Sequence, residues 1–97
     1  MLVVTWDEPK RLSTLRRRGL DFADLSADFF LKSLVVPAKR GRRMAIGPFL
    51  DGTIAVVFLA LGNEGLSIIS MRPASAKERR AYEEAQDTQK CNRDTSP

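Results

Sequence analysis

The chain has 97 residues, 43% of them apolar, which suits one small domain with one core and leaves little room for two active sites. Sixteen Lys and Arg against twelve Asp and Glu give a formal net charge of +4, which favours an anionic partner, nucleic acid before membrane. One cysteine and no histidine exclude an internal disulfide and any metal site built on paired cysteines or imidazoles.

The chain opens with a predicted strand and helix. Residues 2–6 are largely apolar, and Asp7 then supplies an N-cap for a helix. Gly19 fits the left-handed position that ends such a helix. Leu12 and Leu15 are predicted to form its buried stripe.

A second short helix is predicted to follow at once. Asp21 can cap its start, and the apolar spacing beyond it is helical. The buried positions are predicted to be Phe22, Leu25, Phe29 and, at the edge of the stripe, Phe30.

After Leu31 the pattern changes to β-branched runs separated by turn residues, which predicts strands. These strands are expected at residues 34–36, 42–48, 53–61 and 66–72. Asp51-Gly52 predicts a type I′ hairpin turn, because both residues adopt positive φ at low cost. The run 53–61 is apolar on both faces, as in a central strand covered on both sides.

Ser75 and Glu78 have the spacing of a capping box, which predicts a last helix from about Ala76 to Ala85. Residues 86–97 are polar and are predicted to be a disordered tail, so residues 1–85 form the single domain. The order β-α-α-β-β-β-β-α predicts an α+β fold. Its small antiparallel sheet carries two N-terminal helices and one C-terminal helix, packed mainly on one face.

The sequence predicts a cytoplasmic protein without a membrane anchor. No apolar stretch near the N-terminus has the length of a signal peptide, and acidic residues follow it directly. The longest apolar run, residues 54–61, is too short to cross a bilayer.

Two basic clusters are candidates for phosphate contacts. Arg16, Arg17 and Arg18 occupy the last turn of the first helix, where the helix dipole alone also favours cations. The loop at residues 39–43 holds four cations around a glycine, which is typical of a segment that binds a nucleic-acid backbone. The same loop would also serve as a charged guard on a sheet edge.

The segment from Arg72 to Tyr82 carries the groups best suited to phosphodiester chemistry. With no histidine, Glu, Tyr, Lys or water would have to transfer the proton. Arginine would stabilise the negative charge that develops in the transition state. Arg72 closes a strand at the start of a helix, where free backbone N–H groups add to its charge. Glu78, Arg79 and Tyr82 follow on that helix. Two simpler roles remain open: Glu78 only caps the helix, and Tyr82 only packs.

At this point the chain resembles a known family over residues 4 to about 83. The matching residues are Trp6-Asp7, Lys10, Leu15, Arg17-Arg18-Gly19, Phe22, Ala45-Ile46-Gly47, Asp51-Gly52, Val56-Val57, Ile68-Ile69-Ser70, Arg72, Ala74, Glu78-Arg79 and Tyr82. In this order they look like the BrnT toxins. These are the ribonuclease half of a type II toxin–antitoxin pair and have a RelE-like fold.

The resemblance implies a metal-independent endoribonuclease that inhibits growth by cutting RNA, mRNA in particular, and that needs no cofactor. Arg72 and Arg79 would stabilise charge on the phosphate, and Glu78 or Tyr82 would assist proton transfer. The residues expected to hold the RNA backbone are Arg17, Arg18, Arg42 and Arg43. The resemblance also implies a BrnA-like ribbon-helix-helix antitoxin as partner, with DNA contacted only through the complex.

Two departures from the family pattern keep a second interpretation open. Arg18 stands where the family usually has histidine, and Ser67 where it usually has arginine. These favour a non-catalytic or degenerate homologue that binds the antitoxin or acts as a basic nucleic-acid-binding protein. A structural partner in a larger assembly is a third possibility. Retention of Arg72, Glu78, Arg79 and Tyr82 together favours the enzyme.

Overall fold

The structure is a computed structural model that describes residues 2–50 and 52–95, with side chains described as far as Asp87. Besides strands and α-helices it contains two short 3₁₀ turns, one after the first helix and one after the second strand. In chain order the elements are β1 (Val3–Trp6), α1 (Glu8–Arg18), a 3₁₀ turn (Phe22–Asp24), α2 (Ala27–Lys32), β2 (Leu34–Pro37), a 3₁₀ turn (Lys39–Gly41), β3 (Arg43–Phe49), β4 (Gly52–Leu61), β5 (Gly65–Pro73) and α3 (Ala76–Thr95).

The five strands form one mixed sheet in the order β1-β5-β4-β3-β2. Strands β2 to β5 pair antiparallel, whereas β1 runs parallel to β5, from Val3 opposite Gly65 to Trp6 opposite Ile68. The prediction of an antiparallel sheet is therefore wrong at this edge. The strand pattern marks where strands lie, but the neighbour of β1 is set by a contact about sixty residues away, and a parallel pair requires such a long connection.

Both predicted ends of α1 are confirmed, but its predicted buried stripe is wrong. The Asp7 carboxylate accepts a hydrogen bond from the Lys10 backbone N–H at 3.3 Å, and Gly19 has a φ of 69°. Leu12 and Leu15 are 42% and 38% exposed, whereas Thr14 is 6% exposed. Leucines three residues apart mark one face of a helix, but only the contact with β5 decides which face is covered.

The predicted second helix is divided in two. Asp21 caps only the 3₁₀ turn, Leu25 is extended at φ −79° and ψ 131°, and α2 begins afterwards at Ala27. The predicted burial holds nevertheless, since Phe22 is fully buried and Leu25 and Phe29 are each 6% exposed. The break between the 3₁₀ turn and α2 therefore leaves these three side chains in the core.

Both faces of the sheet are covered at its centre. Side chains alternate along a strand, so the consecutive residues Ala45 and Ile46 point to opposite faces, yet they are 0% and 2% exposed. On the first face the helical segment packs on the strands, and the core there is Phe22, Leu25, Phe29, Ala45, Ile54, Val56, Phe58, Leu66, Ile68 and Met71. On the second face Ala55, paired with Ile46, is also fully buried, and α3 contacts β3.

A β-bulge in β5 decides which face receives Arg72. Opposite β4, Val57 pairs with Ser70 and Phe58 with Ile68, so Ile69 is an extra residue. Without it, the period of two would place Arg72 on the same core face as Ile68. With it, Met71 takes the core position at 1% exposure and Arg72 turns to the second face.

The first tight hairpin is shifted by one residue from its prediction. Phe49 pairs with Gly52, so Gly52 begins β4 rather than lying within the turn. Leu50 adopts the positive φ of 54°. Asp51, half of the predicted turn, lies outside the described residues.

The last helix begins as predicted but ends later. α3 runs from Ala76 to Thr95, ten residues beyond the predicted end at Ala85, so that predicted boundary is wrong. The division into a domain at 1–85 and a tail at 86–97 stays a prediction. In the part of the chain that the structure describes, no helix combines the length and apolar character needed to span a membrane.

Candidate functional site

Arg72 is held by two parallel hydrogen bonds to one carboxylate. Its Nη1 lies 2.7 Å from Glu78 Oε1 and its Nη2 lies 2.8 Å from Glu78 Oε2. Paired charge-assisted bonds of this kind fix both position and orientation. Arg72 is the next-to-last residue of β5 and Glu78 lies in the first turn of α3, so the pair joins the end of the strand to the start of the helix.

The capping box holds Glu78 in turn. Its Oε1 accepts a hydrogen bond from the Ser75 backbone N–H at 2.8 Å, and its own N–H donates to Ser75 Oγ at 3.2 Å. The predicted capping interaction is therefore present. The same carboxylate also binds Arg72, so Glu78 does more than cap the helix.

This arrangement lowers the pKa of Glu78 to about 2, mainly through the hydrogen bonds from Arg72, with the backbone N–H of Ser75 adding to the effect and burial opposing it. The same hydrogen bonds raise the pKa of Arg72 above its ordinary value. Glu78 is consequently ionised at neutral pH and is a weak base there. Its geometry suits the fixing of a guanidinium better than the removal of a proton.

A groove of about 490 Å³ on the second face of the sheet begins at Arg72. Met44 and Val57, cross-strand partners in β3 and β4, share this groove with Arg72, and Met44 Sδ lies 3.8 Å from Arg72 Nη2. The residues that line it are Ala38, Lys39, Arg40, Arg42, Met44, Val57 and Arg72. It therefore combines four cations with apolar surface, a combination suited to phosphates and to an adjoining ribose or base.

The cationic side of the groove is a loop with an unusual backbone. Arg40 adopts a φ of 61° and Gly41 a φ of 72°. The left-handed region costs a residue with a side chain on the order of 1 kcal/mol, whereas glycine enters it freely. The loop is closed by hydrogen bonds from the Ala38 N–H to the Arg42 carbonyl at 2.9 Å and from the Arg42 N–H to the Lys39 carbonyl at 3.3 Å.

The structure brings some of the predicted site residues together and separates others. Arg42 shares the groove with Arg72, whereas the neighbouring Arg43 lines a groove against β2. Arg79 is exposed on α3 and does not line the Arg72 groove. Arg17 and Arg18 are exposed at the end of α1 and do not line it either.

Tyr82 does not line the Arg72 groove. It lines a separate groove of about 480 Å³ with Ala85 and Gln86 of α3 and the segment Leu31–Val35. In the structure the predicted catalytic set is therefore a contacting pair, Arg72 with Glu78, and two further residues of α3.

Five lining residues of the groove were not predicted as site residues, and one of them is the small residue Ala38. Lys39 and Arg40 belong to the basic loop, of which only Arg42 and Arg43 were selected. Met44 and Val57 look like ordinary strand residues, and alternation in β3 and β4 is the signal that puts them on the face opposite the core. Within residues 2–50 and 52–87, whose side chains the structure describes, no cluster of three or more Asp or Glu side chains is suited to hold a metal ion.

Comparison with known proteins assigns the chain to a family. The family model described as the ribonuclease toxin BrnT of type II toxin–antitoxin systems matches residues 6–78. The crystal structure of the Brucella abortus ribonuclease toxin BrnT is similar, with a TM-score of 0.72 and 51% sequence identity, covering 77% of this chain and 99% of that one. Comparison with curated protein sequences gives no significant match. On these grounds the chain belongs to the BrnT family of ribonuclease toxins from type II toxin–antitoxin systems.

Proposed function

We propose that this chain is an endoribonuclease toxin that acts in the cytoplasm, cleaves single-stranded RNA, mRNA in particular, without a metal ion, and does so in the Arg72 groove. One observation carries the proposal. Glu78 fixes the Arg72 guanidinium in a groove that Lys39, Arg40 and Arg42 also line. An RNA backbone carries negative charge at each nucleotide, so it fits a groove lined by several cations.

In the proposed reaction the 2′-oxygen of a ribose attacks the adjacent phosphorus. The bond from phosphorus to the 5′-oxygen of the next nucleotide breaks, which leaves a 2′,3′-cyclic phosphate and a 5′-hydroxyl. The proton of the 2′-hydroxyl passes to water or a protein base, and the 5′-oxygen receives a proton. Arg72 meets the charge that develops on the phosphate oxygens, as a preorganised cation does best.

The other α3 residues have different proposed roles. Glu78 positions Arg72, since its pKa of about 2 makes it a weak base. Arg79 is proposed to add a second positive charge for a longer RNA. Proton transfer by Tyr82 would require the phenol to approach the scissile phosphate, and its separate groove favours water in that role.

The proposal also includes a partner protein and a related fold family. We expect a BrnA-like antitoxin with a ribbon-helix-helix segment, so that DNA is bound only through the complex. We also propose kinship with the RelE-like ribonucleases, because both combine a small sheet with helices before and after it.

The test is cleavage by the purified chain of a labelled single-stranded RNA in EDTA, with analysis of the product ends. We expect 2′,3′-cyclic or 3′-phosphate ends. Arg72→Ala should lower the rate by at least about 10²-fold, because it removes a preorganised donor. The matched control is Arg80→Ala, which removes an exposed arginine from α3. Equal rates for both folded variants would remove Arg72 from the site, and loss of activity in EDTA would reject the metal-free route.

One observation favours a second candidate, a toxin homologue that binds RNA without cutting it. The residues that line the groove are cations and apolar residues, with no carboxylate among them to act as a general base. The absent histidine at Arg18 and the absent arginine at Ser67 point the same way. Salt-dependent RNA binding with no cleavage by the wild-type chain would establish this alternative.

A further inference from the structure

Strand β2 forms one edge of the sheet and pairs only with β3 among the described strands. The orientation of its backbone follows from a single hydrogen bond. The Ala38 N–H donates to the Arg42 carbonyl at 2.9 Å, so the backbone groups of Ala38 point toward the β3 side. Directions alternate along an extended chain, so Val36 also faces β3, while the N–H and C=O of Val35 point outward.

Two grooves meet at Val35 on this edge. One, of about 480 Å³, is lined by Leu31, Val35, Tyr82 and other residues of α3, and Leu31 is 84% exposed. The other, of about 440 Å³, is lined by Val35, Pro37, Arg42 and Arg43. The edge therefore has the exposed Leu31 beside Lys32 and other polar residues at its beginning, and two arginines at its end.

This edge has incomplete protection against strand addition. Proline is a common guard, and Pro37 removes one donor at the end of β2. Val35 is not guarded in this way: it is 41% exposed and retains its outward N–H and C=O. An extended segment can bind here through main-chain hydrogen bonds, with its side chains in the flanking grooves.

We propose that the outer edge of β2 receives an extended segment of the antitoxin as a sixth strand. The segment would place apolar side chains toward Leu31 and carboxylates toward Arg42 and Arg43. Charge complementarity supports this occupant, because the chain carries a net charge of +4 and the end of the edge is basic. The existence of an antitoxin rests on membership of the BrnT family.

A strand at this edge would also restrict the RNA groove. Ala38 and Arg42 line both the groove beside β2 and the groove that begins at Arg72. A carboxylate bound to Arg42 would remove a cation from the RNA side and add a negative charge there. The antitoxin and RNA therefore exclude one another through a shared loop, without contact between the antitoxin and Arg72.

The first experiment measures amide hydrogen exchange by NMR, in the free chain and in the complex copurified with the protein encoded by the adjoining open reading frame. We expect the Val35 amide to exchange at least about 10²-fold more slowly in the complex, with little change at Thr5 in β1, the other edge strand. A complex without protection at Val35, or failure of that protein to bind, would overturn the proposal. Equal protection of Val35 by a single-stranded RNA oligonucleotide, or by self-association of the free chain at high concentration, would overturn it too.

The second experiment compares two substitutions at one position. Val35→Pro removes the outward N–H, and an edge strand tolerates proline with that orientation. Val35→Thr keeps the N–H and the β-branched shape. Val35→Pro should weaken antitoxin binding by about tenfold or more, and Val35→Thr by less than about threefold. Equal affinities for the two folded variants would contradict strand addition, and if Val35→Pro does not fold, the exchange result decides.

Free-chain RNA cleavage separates this proposal from the nuclease proposal. Val35 does not line the Arg72 groove, so both variants should cut RNA at the wild-type rate. Protection of Val35 in a complex whose free chain never cuts RNA would leave the docking site intact and reject only the nuclease. Cleavage without protection at Val35 would do the reverse.

Discussion

Replacing Glu78 with glutamine tests the arrangement at the start of α3. The carboxylate pKa falls from the ordinary value of 4.5 to about 2, which corresponds to about 3 kcal/mol of preference for the ionised, folded form. Glutamine keeps an oxygen that can accept from the Ser75 N–H but loses the charge. Arg72 is 34% exposed, so water replaces part of the lost interaction. We therefore expect Glu78→Gln to lower the free energy of unfolding at pH 7 by about 2 kcal/mol.

The sign of the pH dependence follows from the lowered pKa. A carboxylate with a lower pKa in the folded state contributes its full stabilisation above about pH 4.5, the value in the unfolded chain, and loses it as the pH falls toward about 2. The stability difference between wild type and Glu78→Gln should accordingly shrink at pH 3 to less than about half its value at pH 7.

Urea unfolding at pH 7, 5 and 3 measures these differences directly. Glu83→Gln is the matched control, because Glu83 is exposed on the same helix, and its effect should stay within about 0.5 kcal/mol. A difference for Glu78→Gln that is the same at pH 7 and pH 3, or no larger than that of the control, would refute the ion-pair reasoning.

Three further predictions concern RNA. Tyr82→Phe should leave the cleavage rate within about threefold in the same RNA assay, because Tyr82 does not line the Arg72 groove and water can accept the proton there; a tenfold loss would return Tyr82 to the site. Arg42→Ala should reduce the salt slope of RNA binding by about 0.7 per lost phosphate contact, measured by titration at several salt concentrations, while Arg80→Ala leaves it unchanged. Arg18→His with Ser67→Arg should raise toxicity and RNA cleavage if the wild type is a weakened toxin; no gain over an active wild type would show that Arg18 substitutes for the imidazole.

Several features of this protein are determined by residues close together in the sequence. Asp7 and Gly19 end a helix at their own positions, and Ser75 with Glu78 starts another, because a cap acts within three or four residues. The burial of Phe22, Leu25 and Phe29 was predictable for the same reason. Their spacing follows the local helical period, even though the predicted helix is divided into a 3₁₀ turn and α2.

The site depended on contacts that no local pattern encodes. The bulge at Ile69 turns Arg72 away from the core, and this follows from the register between β4 and β5 rather than from the composition of either strand. Arg42 and Arg72 are thirty residues apart in the chain. They line the same groove because β3, β4 and β5 lie side by side in the sheet. The parallel pairing of β1 and the exposure of Leu12 and Leu15 were settled in the same way. Local energies select the elements, whereas burial and strand register, which involve distant residues, select the face and neighbour of each one.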